Sequence, residues 1–285
     1  MKTDFSTDIS HFDKILAETG EEKEFIEHCL SLANNFTLED NAEILENLSG
    51  ISINVDSSSP ASAEEEDMVV LAEQASQDIA MRYFGVEVDK RLPMEKYYFF
   101  DGNIFGGSYG KGIASYYSVF PGMVYVSRKR GQMVTQLEVF RQVWNVSSYS
   151  WISYDGEDFP SRLGLACNIP REDNLYFSQI NDTLNSYATF LFYRDYSGSN
   201  PYLSEHSPDQ IASKHIFEPI HYQIMGELFP EIAKKSGYPD AFEIIRMFGL
   251  AKLDGDFFHI RNCCRTAYGP KGLKKLGRKT SLKEH

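Results

Sequence analysis

The sequence predicts an α+β fold, and three observations carry that expectation. A helical-period apolar stripe runs through residues 67 to 83. Short aromatic and β-branched runs fill 86 to 128, and helical spacing returns from 132 onward. The chain has 285 residues, 42% hydrophobic and 14% aromatic, with 17 Tyr and 20 Phe. That supply builds a real core in one large domain or two modest ones, and it argues against global disorder.

The elements follow in order. Residues 8 to 48 read as short amphipathic helices. Ile9, Phe12, Ile15 and Leu16 recur at helical spacing, then Phe25, Ile26, Cys29, Leu30 and Ala33, with Ser10 and Thr37 as N-caps. "VDSSSPASAEEED" carries Ser, Pro and charge without periodicity and reads as a linker. The stripe of the next helix is Val69, Val70, Ala72, Ala75, Ile79 and Ala80, and Gly85 ends it. "KYYFF" and "MVYVS" read as strands flanking a glycine-bearing hairpin or bulge, because no phosphate-loop pattern is present. A helix opens after "RKRGQ", residues 147 to 178 read as irregular, and a helix spans about Gln179 to Tyr193. Two or three further helices fill 209 to 285, broken at Pro230, Pro239 and Gly269-Pro270. The expected division is an acidic helical module (1–50), an exposed mobile linker (51–66), a main domain (67–270) and a basic tail (271–285).

The net charge is -13, from 28 basic and 41 acidic residues. Residues 260 to 285 hold eight basic residues against one acid, a local +7 that leaves -20 for the rest. Such a body repels nucleic acid in bulk, so no DNA partner is expected; the basic end reads first as a solvated face, and after that as a contact for its own body, an anionic surface or RNA. Cys29, Cys167, Cys263 and Cys264 form no C-x-x-C, the first residues are polar, and no run approaches a membrane span. A cytoplasmic, reducing setting is the expectation.

"MVTQLEVFRQVWN" (133–145) places Val134, Leu137, Phe140, Val143 and Trp144 on one helical face. In the plain reading Glu138 and Arg141 are a surface pair worth a few tenths of a kcal/mol. The order strand, turn, helix resembles the way zincins present H-E-x-x-H, in which two imidazoles at i and i+4 hold zinc and the Glu activates its water. Leu137 stands in the first histidine frame, Glu138 in the base frame and Arg141 in the second histidine frame. Further on, "INDTLNSYATFL" resembles the gluzincin N-E-x-x-x-E-Y helix. Asn181 is kept, Asp182 stands at the ligand glutamate, Ser186 at the second acid, and Tyr187 follows. "ASQDIAMRYFGVEV" and "MVYVS" resemble the first helix and a strand of small gluzincins. "YQIMGELFPEIAKKSGYPDAFEIIRMFGLAKLDGDFFHI" resembles their C-terminal helices, so the likeness covers roughly residues 67 to 270.

The resemblance implies a zincin-like fold without its zinc. Both histidines are missing and the third ligand is one methylene short, so neither metal nor cofactor is expected. It implies a cleft along an edge strand that binds extended peptide by strand addition. The aromatic segment 97 to 126 would supply its wall, with Tyr116, Tyr117, Tyr125 and Tyr187 as binding residues. Arg141 would replace the ion between the acids at 138 and 182, with Leu137 filling the volume of an imidazole. The function expected is a catalytically inactive pseudopeptidase that binds peptide or protein. Two alternatives stand beside it: a hydrolase whose chemistry no motif displays, and an interaction protein working through its acidic start and basic end. His206, His215 and His221 lack i, i+4 spacing, and His259 with Cys263 and Cys264 does not converge. G-x-S-x-G is absent, and Asp155, Glu157 and Asp158 read as a turn.

Overall fold

The computed structural model describes residues 3–6, 12–49, 51–106, 112–154, 156, 159–169, 174–203 and 207–283. Strands β1 (Thr3–Ser6) and β2 (Lys14–Ala17) pair antiparallel, and helices α1 (Gly20–Asn34) and α2 (Leu38–Ser49) follow. The helical reading of Ile15 and Leu16 is corrected: these residues alternate in a strand, with Ile15 and Ala17 buried. Thr19 caps α1. At the start of α2, Thr37 and Asp40 bond each other's backbone amides. Ile9 and Ser10 lie outside the described residues.

The stretch expected as an exposed linker is tied down. Ile53 bridges to Phe105, and β3 (Ser58–Ser59) pairs antiparallel with β4 (Tyr97–Phe100). Ser62 then caps α3 (Ala63–Ile79) in a reciprocal box with Glu65, and a π turn ends at left-handed Gly85. Strands β5 (Ser115–Ser118) and β6 (Met123–Ser127) complete a four-stranded sheet in the order β3-β4-β6-β5. β6 runs parallel to β4 and antiparallel to β5, so among the described residues β5 is an edge. Its alternation sorts the aromatics. Tyr97, Phe99, Tyr117, Val124 and Val126 pack with α3 and the next helix, whereas Phe100, Met123 and Tyr125 pack with Leu38 of α2.

Helix α4 (Gln132–Val146) leads into β7 (Ser150–Ser153), β8 (Ser161–Leu163), β9 (Ala166–Ile169) and β10 (Asn174–Tyr176). The irregular reading of 147–178 is thereby corrected: strands of three or four residues are too short to display a period. Next come α5 (Ser178–Tyr196), α6 (Pro208–Ile211), α7 (Pro219–Gln223), α8 (Phe229–Ser236), α9 (Ala241–Asp254) and α10 (Phe258–Tyr268). The residues expected as a basic tail form α11 (Gly272–Lys279) and β11 (Leu282–Lys283), which pairs with β10. A seven-stranded sheet results, ordered β1-β2-β7-β8-β9-β10-β11, with β2 parallel to β7. The chain is thus a mixed α+β protein, with two small sheets among the described residues. Among the described residues no helix is long and apolar enough to cross a membrane.

Candidate functional site

Helix α4 is enclosed by α3, α5, β5 and β6. Its polar residues are therefore buried along with its apolar stripe, and Glu138 is only 5% exposed, unlike a surface pair. A directed chain of hydrogen bonds ends on it. The Asn145 amide donates to Gln142 Oε1 at 3.0 Å, Gln142 Nε2 donates to Ser115 Oγ at 2.5 Å, and Ser115 donates to Glu138 Oε2 at 2.6 Å. Each donor is polarised toward the carboxylate, so the links reinforce one another. Arg141 Nη1 lies 3.7 Å from the same oxygen, and its Nη2 donates to the Ile216 carbonyl at 3.4 Å. Its Nε is buried without a hydrogen bond. Leu137 is buried in the core shared with Phe140 and Trp144.

Helix α5 carries Asn181 and Asp182, the latter within the field of Arg141. Asn181 Oδ1 accepts from the Leu165 amide and from Lys252 Nζ, both at 3.0 Å. Asp182 is exposed on α5, with protein packed around the base of its side chain. Loss of surrounding water pushes its carboxyl up to about 6; Lys252 and Arg141 oppose that rise and Glu218 adds to it. Lys252 is fully buried, and burial drives its amine down to about 7, with Asp182 opposing and Arg162 assisting. His221 is buried with its Nδ1 accepting from the Glu218 amide at 3.0 Å; burial lowers its pKa, Glu218 opposes, and Arg141 assists. Helix α5 thus packs against α4, α7 and α9, the elements that carry Arg141, His221 and Lys252.

Several of these groups lie beyond the residues singled out from sequence. Arg162 is buried, its guanidinium 5.0 Å from the Tyr149 ring and 4.1 Å from that of Phe257. It donates to the carbonyls of Gly164 and Ala251, and burial lowers its pKa to about 10. Gly164 has φ +59, and a Cβ there would sit 2.6 Å from Asn181 Oδ1 and 2.8 Å from Lys252 Nζ. Only glycine fits that approach. One signal was available for Lys252: it falls on the stripe of Ile245, Phe248 and Ala251.

The expected site residues divide. Glu138 and Arg141 meet, and Asp182 feels Arg141 through its charge. Ser186 is buried. The aromatic wall is corrected in part. Tyr117 and Tyr125 are buried in cores on opposite faces of the sheet, while Tyr116 is exposed and stacks on Tyr125 at 6.1 Å. Tyr187 is half-buried; burial raises its pKa, and its charge neighbours are Arg194, Tyr83 and Asp195 rather than Asp182 or Lys252. Cys263 and Cys264 are buried while His259 is exposed. His206, Asp155, Glu157 and Asp158 lie outside the described residues. Among the described residues, no group of three or more His, Cys, Asp or Glu side chains is gathered as metal ligands would be. Comparison with protein families, curated proteins and solved structures finds no match to this chain.

Proposed function

We propose that this chain is a zincin-like scaffold of the gluzincin type that holds an extended peptide or protein segment along β5 without zinc chemistry. The observation that carries this reading is the edge strand β5 lying beside α4, with Ser115 bonded to Glu138. Strand, turn and helix follow in the order the resemblance expects, and the acid faces the edge. The Ser127 amide donates to the Ala114 carbonyl at 2.8 Å, so residues 114 and 116 bond inward to β6. The backbone groups of Ser115 and Tyr117 then point to the open edge, where a peptide adds a strand. Leu137 and Arg141 occupy the ligand frames with groups that do not bind zinc. The Arg141–Glu138 contact supports a closed junction there.

The test is binding of a library of extended peptides, read by fluorescence polarisation. Backbone N-methylation at alternate peptide positions is expected to weaken the best binder about tenfold or more, because it removes strand bonds. Binding indifferent to N-methylation, or stoichiometric zinc together with peptide cleavage, overturns the proposal.

One observation favours a second reading. Lys252 bonds Asn181, the neighbour of Asp182, and the two charged groups carry displaced proton affinities in each other's field, as acid–base pairs in enzymes do. Turnover of ester, amide or glycoside substrates that is abolished by Asp182→Asn would select this reading.

A further inference from the structure

The two ends of the seven-stranded sheet carry opposite charge. From Phe257 to Lys283 there are eight cations and no acid. Arg261, Arg265, Lys271, Lys274, Lys275 and Lys279 are exposed on α10 and α11, and α11 packs on β10 next to the sheet's last strand. Lys271, Lys274, Lys275 and Lys279 recur at helical spacing, while Leu276 turns inward. On the β2 side, α1 packs on this sheet and α2, which follows it, covers the four-stranded sheet; residues 18 to 46 hold nine acids and one lysine. Glu18, Glu21, Glu24, Glu39, Asp40 and Glu43 are exposed, and α1 packs on β2. Residues 18 to 46 therefore carry -8 where residues 257 to 283 carry +8.

These faces cannot neutralise each other within one chain. β2 and β10 are four strand steps apart in the sheet order, roughly 19 Å at the usual spacing. That is more than two screening lengths of about 8 Å at physiological salt. Each face also has an exposed aromatic beside its charges, Phe25 on α1 at 44% and Phe258 on α10 at 64%. Such a ring anchors an interface that charge alone only steers. Nucleic acid fits the cationic face less well, since the body it would approach carries the remaining negative charge.

We infer that the occupant of the basic α10–α11 face is the acidic α1–α2 face of a second copy of this chain. The contact is head-to-tail, joining two different patches, so it leaves one face free at each end and does not close on itself. It goes beyond the peptide-binding reading and uses none of its residues.

The full-length protein is examined by sedimentation velocity at about 50 mM and about 500 mM NaCl, a range that shortens the screening length roughly threefold. The wild type is expected to form dimers and larger species in low salt, with the apparent dissociation constant rising at least about tenfold in high salt. Lys271→Gln/Lys274→Gln/Lys275→Gln and Glu21→Gln/Glu24→Gln/Glu39→Gln are each expected to be monomeric alone. Mixed in equal amounts, they retain one intact basic face and one intact acidic face, and a dimer that grows no further is expected. All these positions are exposed, and circular dichroism checks that each variant is folded. A wild type that stays monomeric in low salt overturns the inference, as does assembly in which the mixture fails to dimerise. Gel shift of a single-stranded RNA oligonucleotide, or sedimentation with phosphatidylserine vesicles, by a monomeric wild type would assign the basic face to a different polyanion.

Discussion

Arg141 has two anchors, the Glu138 carboxylate at 3.7 Å and the Ile216 carbonyl at 3.4 Å, and Asp182 is a more distant charge. Its replacement should therefore couple to Glu138 more than to Asp182. Arg141→Met is expected to cost about 2 kcal/mol, since it leaves a buried acid with fewer partners. In double-mutant cycles by urea unfolding, coupling with Glu138→Gln should be about 1 kcal/mol, and with Asp182→Asn below about 0.5 kcal/mol. The reverse order would restore the expectation that the guanidinium bridges both acids. Lys252 and Asp182 make a pH prediction. The folded amine, near 7, lies below its ordinary 10.5, so the unfolded chain binds more protons in between and stability rises with pH across that window. The folded Asp182, near 6, lies above its ordinary 3.8, so the folded chain binds more protons there and stability falls as pH rises from about 4 to 6. Melting temperature against pH should show both limbs. Lys252→Met should flatten the alkaline one and Asp182→Asn the acidic one. The sequence made Glu138, Arg141 and Asp182 visible because they sit in helices with a readable period. It hid Arg162 and Gly164, whose roles arise from a hairpin of three- and four-residue strands.

At the scale of elements, α3 depends on a clamp at its start. Glu65 is buried at 6% exposure and accepts from Ser62 and from Arg128, with Arg128 Nη2 at 2.9 Å. Burial alone would raise its pKa, but the bonds from Arg128 and Ser62 outweigh burial and hold it below the ordinary value. Its contribution is therefore present above pH 4.5, the unfolded value, and is lost as pH falls through the lower folded value. Ser62→Ala should cost about 1 kcal/mol. Glu65→Ala should cost about 3 kcal/mol, because it leaves Arg128 without its buried partner. Chemical unfolding measures both, and equal costs would mean that the ion pair contributes nothing beyond the cap. Helices α3, α4 and α5 were legible to within a few residues, since each sustains an apolar stripe over several turns. β2 was not, because four residues containing Ile15 and Leu16 satisfy helical and strand spacing alike. The 51–66 stretch carried linker composition, yet its serines are used as strand and cap.

For the molecule as a whole, the N-terminal segment is bound into the architecture. β2 lies beside β7, and Phe12, Ile15, Ile26 and Leu30 share a core with Ile152. Asp13 accepts from Lys90 Nζ at 3.0 Å and from the Ser150 amide at 2.5 Å. Removing residues 1–50 should therefore leave a chain without the sharp unfolding transition of the full protein, with apolar surface that binds a hydrophobic dye. An unchanged cooperative transition in the truncated chain would show that the first 50 residues form a separate module after all. The two largest cores also share Tyr187 at their boundary. Unfolding followed by far-ultraviolet dichroism and by tryptophan fluorescence should coincide.

The parallel pairing of Ile15 with Ile152 has a consequence for how the protein is made. At ribosomal speeds of roughly 5–20 residues per second, β2 waits on the order of ten seconds for its partner to be synthesised. During that interval Phe12, Ile15 and Ile26 have no core to enter, and α1 is amphipathic with nothing beneath it. The β2–α1 segment, made well before its partner strand, is thus among the last to fold, and it is the part that a holdase chaperone would occupy on the nascent polypeptide.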